Sequence, residues 1–172
     1  GMGWGLWKRR EDYLWHDMRL PLALSLFVGC FWLVVAVASP VWASVLIWVM
    51  LVSALYALFR APREDRGFAA LPVGLYAGWL SAASCVSLGL LAAGYGWMSG
   101  PTAGLVFVGL AIVIAAGVQS SLMRAPTYGI GVIWALVAVV VANVATAPTV
   151  AALAAGGAIA LILPTYRSWR RG

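Results

Sequence analysis

Residues 19–60 read RLPLALSLFVGCFWLVVAVASPVWASVLIWVMLVSALYALFR. Between Arg19 and Arg60 lie forty positions, 20–59, without one charged side chain. A helix that crosses the hydrocarbon of a bilayer needs roughly 20 apolar residues, so the stretch has the length of two crossings. Its only break is Ser39-Pro40. Proline disfavours helix at the residue before it, so the chain must turn there, and the stretch reads as two antiparallel membrane helices in a tight hairpin.

The same pattern extends outward. The chain has 172 residues, of which 64% are hydrophobic and 9% charged, and its mean hydropathy is +0.97. A soluble domain carries about 25% charged residues and could not bury so large an apolar share at this size. In lipid, every backbone N–H and C=O must find a partner inside the protein, which leaves helices or closed barrels. Barrels alternate polarity along each strand. The apolar runs here are continuous, so helices are expected, and the chain is read as an all-α polytopic bundle of six transmembrane helices. The segments are 20–38, 41–59, 68–94, one from Pro101 to about Met123, one from Pro126 to about Thr146, and 149–163. Pro21 is expected in a first turn, and Pro164 is expected to stop a short last helix. Short connections make each segment an antiparallel neighbour of the next, except where the charged loop 60–67 intervenes.

The cations decide the topology. Lys8, Arg9, Arg10 and Arg19 precede the first segment, and Arg60, Arg63 and Arg66 lie between the second and third. Arg124 lies between the fourth and fifth, and Arg167, Arg170 and Arg171 follow the sixth. The other three connections carry none. With six spans all eleven cations fall on one aqueous face, and the positive-inside bias makes that face cytoplasmic, with both termini on it. The expected location is a cytoplasmic membrane, crossed several times. The net charge of +6 is thus topological, and no basic stripe points to nucleic acid. The apolar residues 1–7, cut off by Lys8-Arg9-Arg10, leave two readings open: a short interfacial helix, or the tail of an earlier membrane helix.

The six segments contain no Asp, Glu, Lys, Arg or His, which argues against ion-coupled transport and leaves no general acid or base for an enzyme. One His and the separated Cys30 and Cys85 do not make a metal site. The serines are expected to bond their own helix carbonyls. Gln119 and Asn143, near helix ends, meet either headgroups or a neighbouring helix. Tyr95, Trp97, Trp42, Tyr128 and Trp169 fall at span ends, where amphipathic rings suit the interface. Trp32, Trp48, Tyr56, Tyr76, Trp79 and Trp134 fall deeper. Gly74, Gly78 and Ala82 give the third segment a small-residue face for close helix packing.

Residues 71–84, LPVGLYAGWLSAAS, resemble the tryptophan-rich sensory protein family, also called TspO or translocator protein. That family carries a Tyr-x-x-Trp-x-Ser/Thr-x-Ala-Thr-x-x-Asn pattern in its last core helix. Tyr76, Trp79, Ser81, Ala83 and Ser84 match it, and Ser87 stands where the family has Asn. The segment with Trp32 resembles the family's Asn-x-x-Trp helix, with Gly29 in place of the Asn, and LYALFR at 55–60 resembles the helix between them. By this resemblance residues 20–94 are a TspO-like three-helix portion. Residues 95–166 form the C-terminal extension of larger bacterial members, with IWAL at 133–136. Residues 1–19 are a cytoplasmic segment, 167–172 a basic tail, and the family's first helices are missing. The resemblance implies a non-catalytic sensory or ligand-binding protein whose ligand is a tetrapyrrole or other flat lipophile. Trp32, Trp48, Tyr76 and Trp79 are the expected lining. No intrinsic cofactor or metal is expected; a bound porphyrin, pigment or lipid is. Expected partners are membrane lipids and a second copy or a larger membrane complex. The alternative is an accessory subunit of a bioenergetic or light-harvesting assembly.

Overall fold

The computed structural model describes residues 16–62, 66–122 and 125–171; the readings of residues 1–15 fall outside them. Six helices long and apolar enough to cross a membrane account for nearly all of the described chain. They are α1 (His16–Ala38), α2 (Pro40–Arg60), α3 (Leu71–Gly94), α4 (Gly100–Ser121), α5 (Pro126–Asn143) and α6 (Pro148–Arg171).

Proline sets most of the starts. Pro40, Pro72, Pro101, Pro126 and Pro148 each stand at the first or second position of a helix, where the missing N–H would have had no helical partner anyway. Ser39 and Ser99 accept from the N–H of Trp42 and Thr102 and cap α2 and α4. Before α3, residues Arg66–Ala70 form a π-helical turn. Pro72 cannot donate to the Phe68 carbonyl, and a wider turn upstream is one way the backbone absorbs that gap.

Two prolines depart from the sequence expectation. Pro21 lies inside α1 rather than in a first turn, and α6 runs through Pro164 to Arg171 instead of stopping there. Membrane helices tolerate such prolines because neighbours re-satisfy the freed backbone groups. The last helix is therefore not short: its 24 residues rise about 36 Å. Conversely, α5 ends at Asn143, before Thr146.

The helices pack as a row that ends in a ring. α1 packs on α2, and α2 on α3; then α3, α5, α6 and α4 close a four-helix ring. The expectation that α4 and α5 are close neighbours fails. Although adjacent in sequence, they touch little, because α3 and α6 lie between them. The reason is the small-residue face of α3. A Cβ on Gly78 would overlap the Tyr128 carbonyl oxygen of α5, and one on Gly131 would lie 2.9 Å from the Leu75 carbonyl oxygen of α3. Each glycine thus admits the other helix's backbone, so α5 seats on α3 rather than on α4.

Polar ties gather the cation-bearing ends. The Arg60 guanidinium meets Asp17 at 3.3 Å, joining the start of α1 to the end of α2. Thr127 donates to the Leu71 carbonyl at 2.6 Å, joining the starts of α5 and α3. Ser168 donates to the Leu122 carbonyl at 3.4 Å, joining the ends of α6 and α4. The described arginines, at 19, 60, 66, 167, 170 and 171, all lie at this end.

Gln119 belongs to the same set. Its side chain is fully buried, not in headgroups, and its amide oxygen accepts from the Gly129 N–H of α5 at 2.7 Å while its NH2 donates to the Leu122 carbonyl at 3.3 Å. Ala125, just before α5, has no capping side chain, and its carbonyl accepts from the Tyr128 N–H at 3.2 Å. Gln119 supplies from the neighbouring helix the acceptor that the Ala125 carbonyl would otherwise give the Gly129 N–H. Asn143 instead donates to the Val139 carbonyl of its own helix at 2.8 Å.

Two outcomes are expected in thermal unfolding of the detergent-solubilised chain. Gly78→Val should lower the midpoint, by about 1–3 kcal/mol of overpacking, while Gly109→Ala, a position with nothing near its Cβ site, should not. Gln119→Leu should cost about 1–3 kcal/mol by orphaning the Gly129 N–H, and Ser121→Ala, at an exposed hydroxyl bonded within its own helix, should cost far less.

Candidate functional site

Tyr76 is committed to structure. Ser25 of α1 donates to the Met50 carbonyl of α2 at 2.8 Å, which uses its only proton. The Tyr76 hydroxyl, 3.0 Å from Ser25 Oγ, is therefore the donor in that pair. One Ser–Tyr contact thus ties α1, α2 and α3. The arrangement recurs with roles exchanged: Ser81 of α3 donates to the Ala77 carbonyl at 2.9 Å, so Tyr128 of α5 donates to Ser81 at 2.9 Å. Tyr128 is fully buried, so it is not the interfacial ring expected from its place near a span end. Trp42, Tyr95, Trp97 and Trp169 do stand exposed, with Tyr95 stacked on Trp97 at 5.6 Å.

The serines divide between two uses. Ser53 and Ser121 bond carbonyls of their own helix, as expected. Ser44 of α2 bonds Ser87 of α3, and Ser84 reaches the Ile47 carbonyl at 3.4 Å, both across the α2–α3 interface. Ser84 and Ser87, three residues apart, share the side of α3 that meets α2, whereas Ser81 meets Tyr128 of α5.

The Ser44–Ser87 pair lies in a cleft of about 500 Å³ at the end of the bundle away from the arginines. It is lined by Trp32 and Ala36 of α1, Pro40 and Ala43 of α2, Leu90 of α3 and Tyr95 just beyond α3. Trp32 is held by its indole N–H, which donates to the Ala43 carbonyl at 2.9 Å. A longer apolar trough of about 780 Å³ runs along α2 from Val41 past Trp48 to Tyr56 and shares Ser44 and Leu91 with the cleft. The Trp48 indole N–H is buried without an acceptor among the described residues, a condition that costs roughly 1–3 kcal/mol until some acceptor meets it.

Trp79 lies elsewhere. It lines a third cleft, of about 420 Å³, opened where α4 and α5 stand apart over α3, together with Phe107, Trp134 and Asn143. Of the four expected lining residues, Trp32 and Trp48 flank one connected region around Ser44. Tyr76 lies in the α1–α2–α3 interface, and Trp79 lines a different cleft. Trp134 and Tyr95 were legible only as aromatics, with nothing in the sequence to say which helices they would face.

Both departures from the TspO pattern have local partners. Gly29 replaces Asn where an added Cβ would stand 3.1 Å from Met50 Cε and 3.9 Å from the Tyr76 hydroxyl. Ser87 replaces Asn where the side chain meets Ser44.

No curated protein and no solved structure matches the chain. A family model described as TSPO-like protein matches residues 3–166. With six spanning helices, the Tyr76–Ser84 pattern and a match over nearly the whole chain, this multi-pass membrane protein belongs to the TSPO-like protein family.

Proposed function

We propose that the chain is a TspO-like membrane sensor that binds a flat lipophile, with a tetrapyrrole as the type compound, in the cleft between α1, α2 and α3. The observation that carries the reading is the pair of tryptophans set about Ser44. Trp32 is fixed by its bond to Ala43, and Trp48 keeps a buried indole N–H in want of an acceptor. A volume of about 500 Å³ falls within the range of about 300–1,000 Å³ usual for small-molecule sites. The lining is apolar apart from the hydroxyls of Ser44, Ser87 and Tyr95, and such a surface selects ligands by area and flatness. Rigid indoles lose little entropy when they stack on a ring system. The family's membership among sensory and ligand-binding membrane proteins supports the same reading. The positive-inside bias puts the arginine-bearing end in the cytoplasm and this cleft toward the opposite face.

Titration of the purified chain with protoporphyrin IX, followed by tryptophan emission and the porphyrin's own absorbance, tests the reading. Saturable binding is expected, weakened about tenfold, or about 1.4 kcal/mol, by Trp32→Leu and by Trp48→Leu, and unchanged by Trp79→Leu. Loss of binding in Trp79→Leu alone would move the site to the α4–α5 cleft. No saturable binding, with the chain co-migrating in mild detergent with a large pigment or redox complex, would favour an accessory subunit instead.

A further inference from the structure

The trough along α2 ends at a pair of opposite charges. On its floor Val45, Trp48, Val49, Val52 and Tyr56 follow one another down the exposed side of α2, and Pro21 and Leu24 of α1 wall its lower half. One turn beyond Tyr56 stands Arg60, its guanidinium 5.1 Å from the centre of the Tyr56 ring. One turn before Pro21 stands Asp17, bonded to Arg60 at 3.3 Å. Both charged side chains remain open to the surroundings, at 51% and 66% exposure. An apolar channel inside the membrane thus leads to one cation and one anion at the aqueous boundary.

We propose that this trough holds a phospholipid of the amine class, one acyl chain lying along α2, its phosphate on Arg60 and its primary ammonium on Asp17. Dimensions agree. From Tyr56 to Trp48 the helix rises about 12 Å, close to the roughly 15 Å depth of one leaflet's hydrocarbon. Charge decides the headgroup. Arg60 offers the planar fork that suits a phosphate, while the carboxylate beside it repels a second negative charge and accepts a donated ammonium proton. A second protein helix is the poorer occupant, because close helix approach calls for small residues and this floor presents valines and large rings. The headgroup pair, Asp17 and Arg60, lies apart from the flat-lipophile cleft, while the far end of the trough shares Ser44 and Leu91 with it and runs past Trp48.

Native mass spectrometry of the full chain, released from mixed micelles holding equal amounts of phosphatidylethanolamine, phosphatidylcholine and phosphatidylglycerol, tests the proposal. One retained phosphatidylethanolamine per chain is expected, favoured about fivefold over the other two lipids, the scale of one exposed charge contact. Asp17→Asn should erase the preference, Arg60→Gln should lower retention of all three lipids, and Val52→Trp, at an exposed position on the trough floor, should block retention without altering a charge. Asp17→Asn should leave protoporphyrin IX binding unchanged. Preferential retention of phosphatidylglycerol, equal retention of all three lipids by the unaltered chain, or a preference indifferent to both Asp17→Asn and Val52→Trp would overturn it.

Discussion

Inside a bilayer a backbone N–H or C=O has no water to turn to, and each one left bare costs several kcal/mol. The architecture is arranged around that constraint. Helices satisfy the interior groups, and the difficulty moves to their ends, where the first N–H and last C=O groups lack helical partners. Here the ends are answered one by one. Prolines stand where a donor would be orphaned, Ser39 and Ser99 cap their own helices, and Gln119 reaches from α4 to cap α5. The rare polar side chains of the bundle are concentrated where backbone partners are scarce or where helices must be fixed against each other.

α3 is where those ties converge. Tyr76 binds it to α1 and through Ser25 to α2, Ser84 and Ser87 bind it to α2, and Ser81, Leu71, Gly74 and Gly78 meet α5. In lipid, where apolar contact between helices gains little over contact with acyl chains, close backbone approach and interhelical hydrogen bonds do the associating. The hub helix is also the one whose sequence most resembles the TspO pattern. Its polar residues are largely consumed by helix contacts, which leaves ligand contacts to the tryptophans beside it.

Much of the fold was legible because hydropathy and proline act locally. The six segments, the hairpin at Ser39-Pro40 and the gathering of cations at one end follow from runs of apolar residues and the places where they break. Pro164 misled, because a proline that ends a helix in water is tolerated in lipid when neighbours absorb the loss. The adjacency of α4 and α5 misled for a different reason: short loops suggest contact, but Gly78 and Gly131 draw α5 onto α3. The site was legible only in part. Trp32 and Trp48 flank the same region, yet periodicity gives no clue that Trp79, three residues after Tyr76, faces another cleft, since that depends on which helix arrives on each side of α3.

The flat-lipophile cleft opens at one end of α2 and the charged end of the lipid trough stands at the other, so both depend on the chain's crossing the membrane an even number of times with its arginines on one side. Accessibility labelling of single-cysteine variants tests that directly, with Cys30 and Cys85 replaced and one cysteine placed in turn at the exposed positions Gly67, Arg170 and Trp97. With a membrane-impermeant thiol reagent in sealed cells, the account predicts protection at positions 67 and 170 and labelling at 97. Labelling of position 67 or 170 without the other would place the arginine-bearing ends on opposite faces and contradict it.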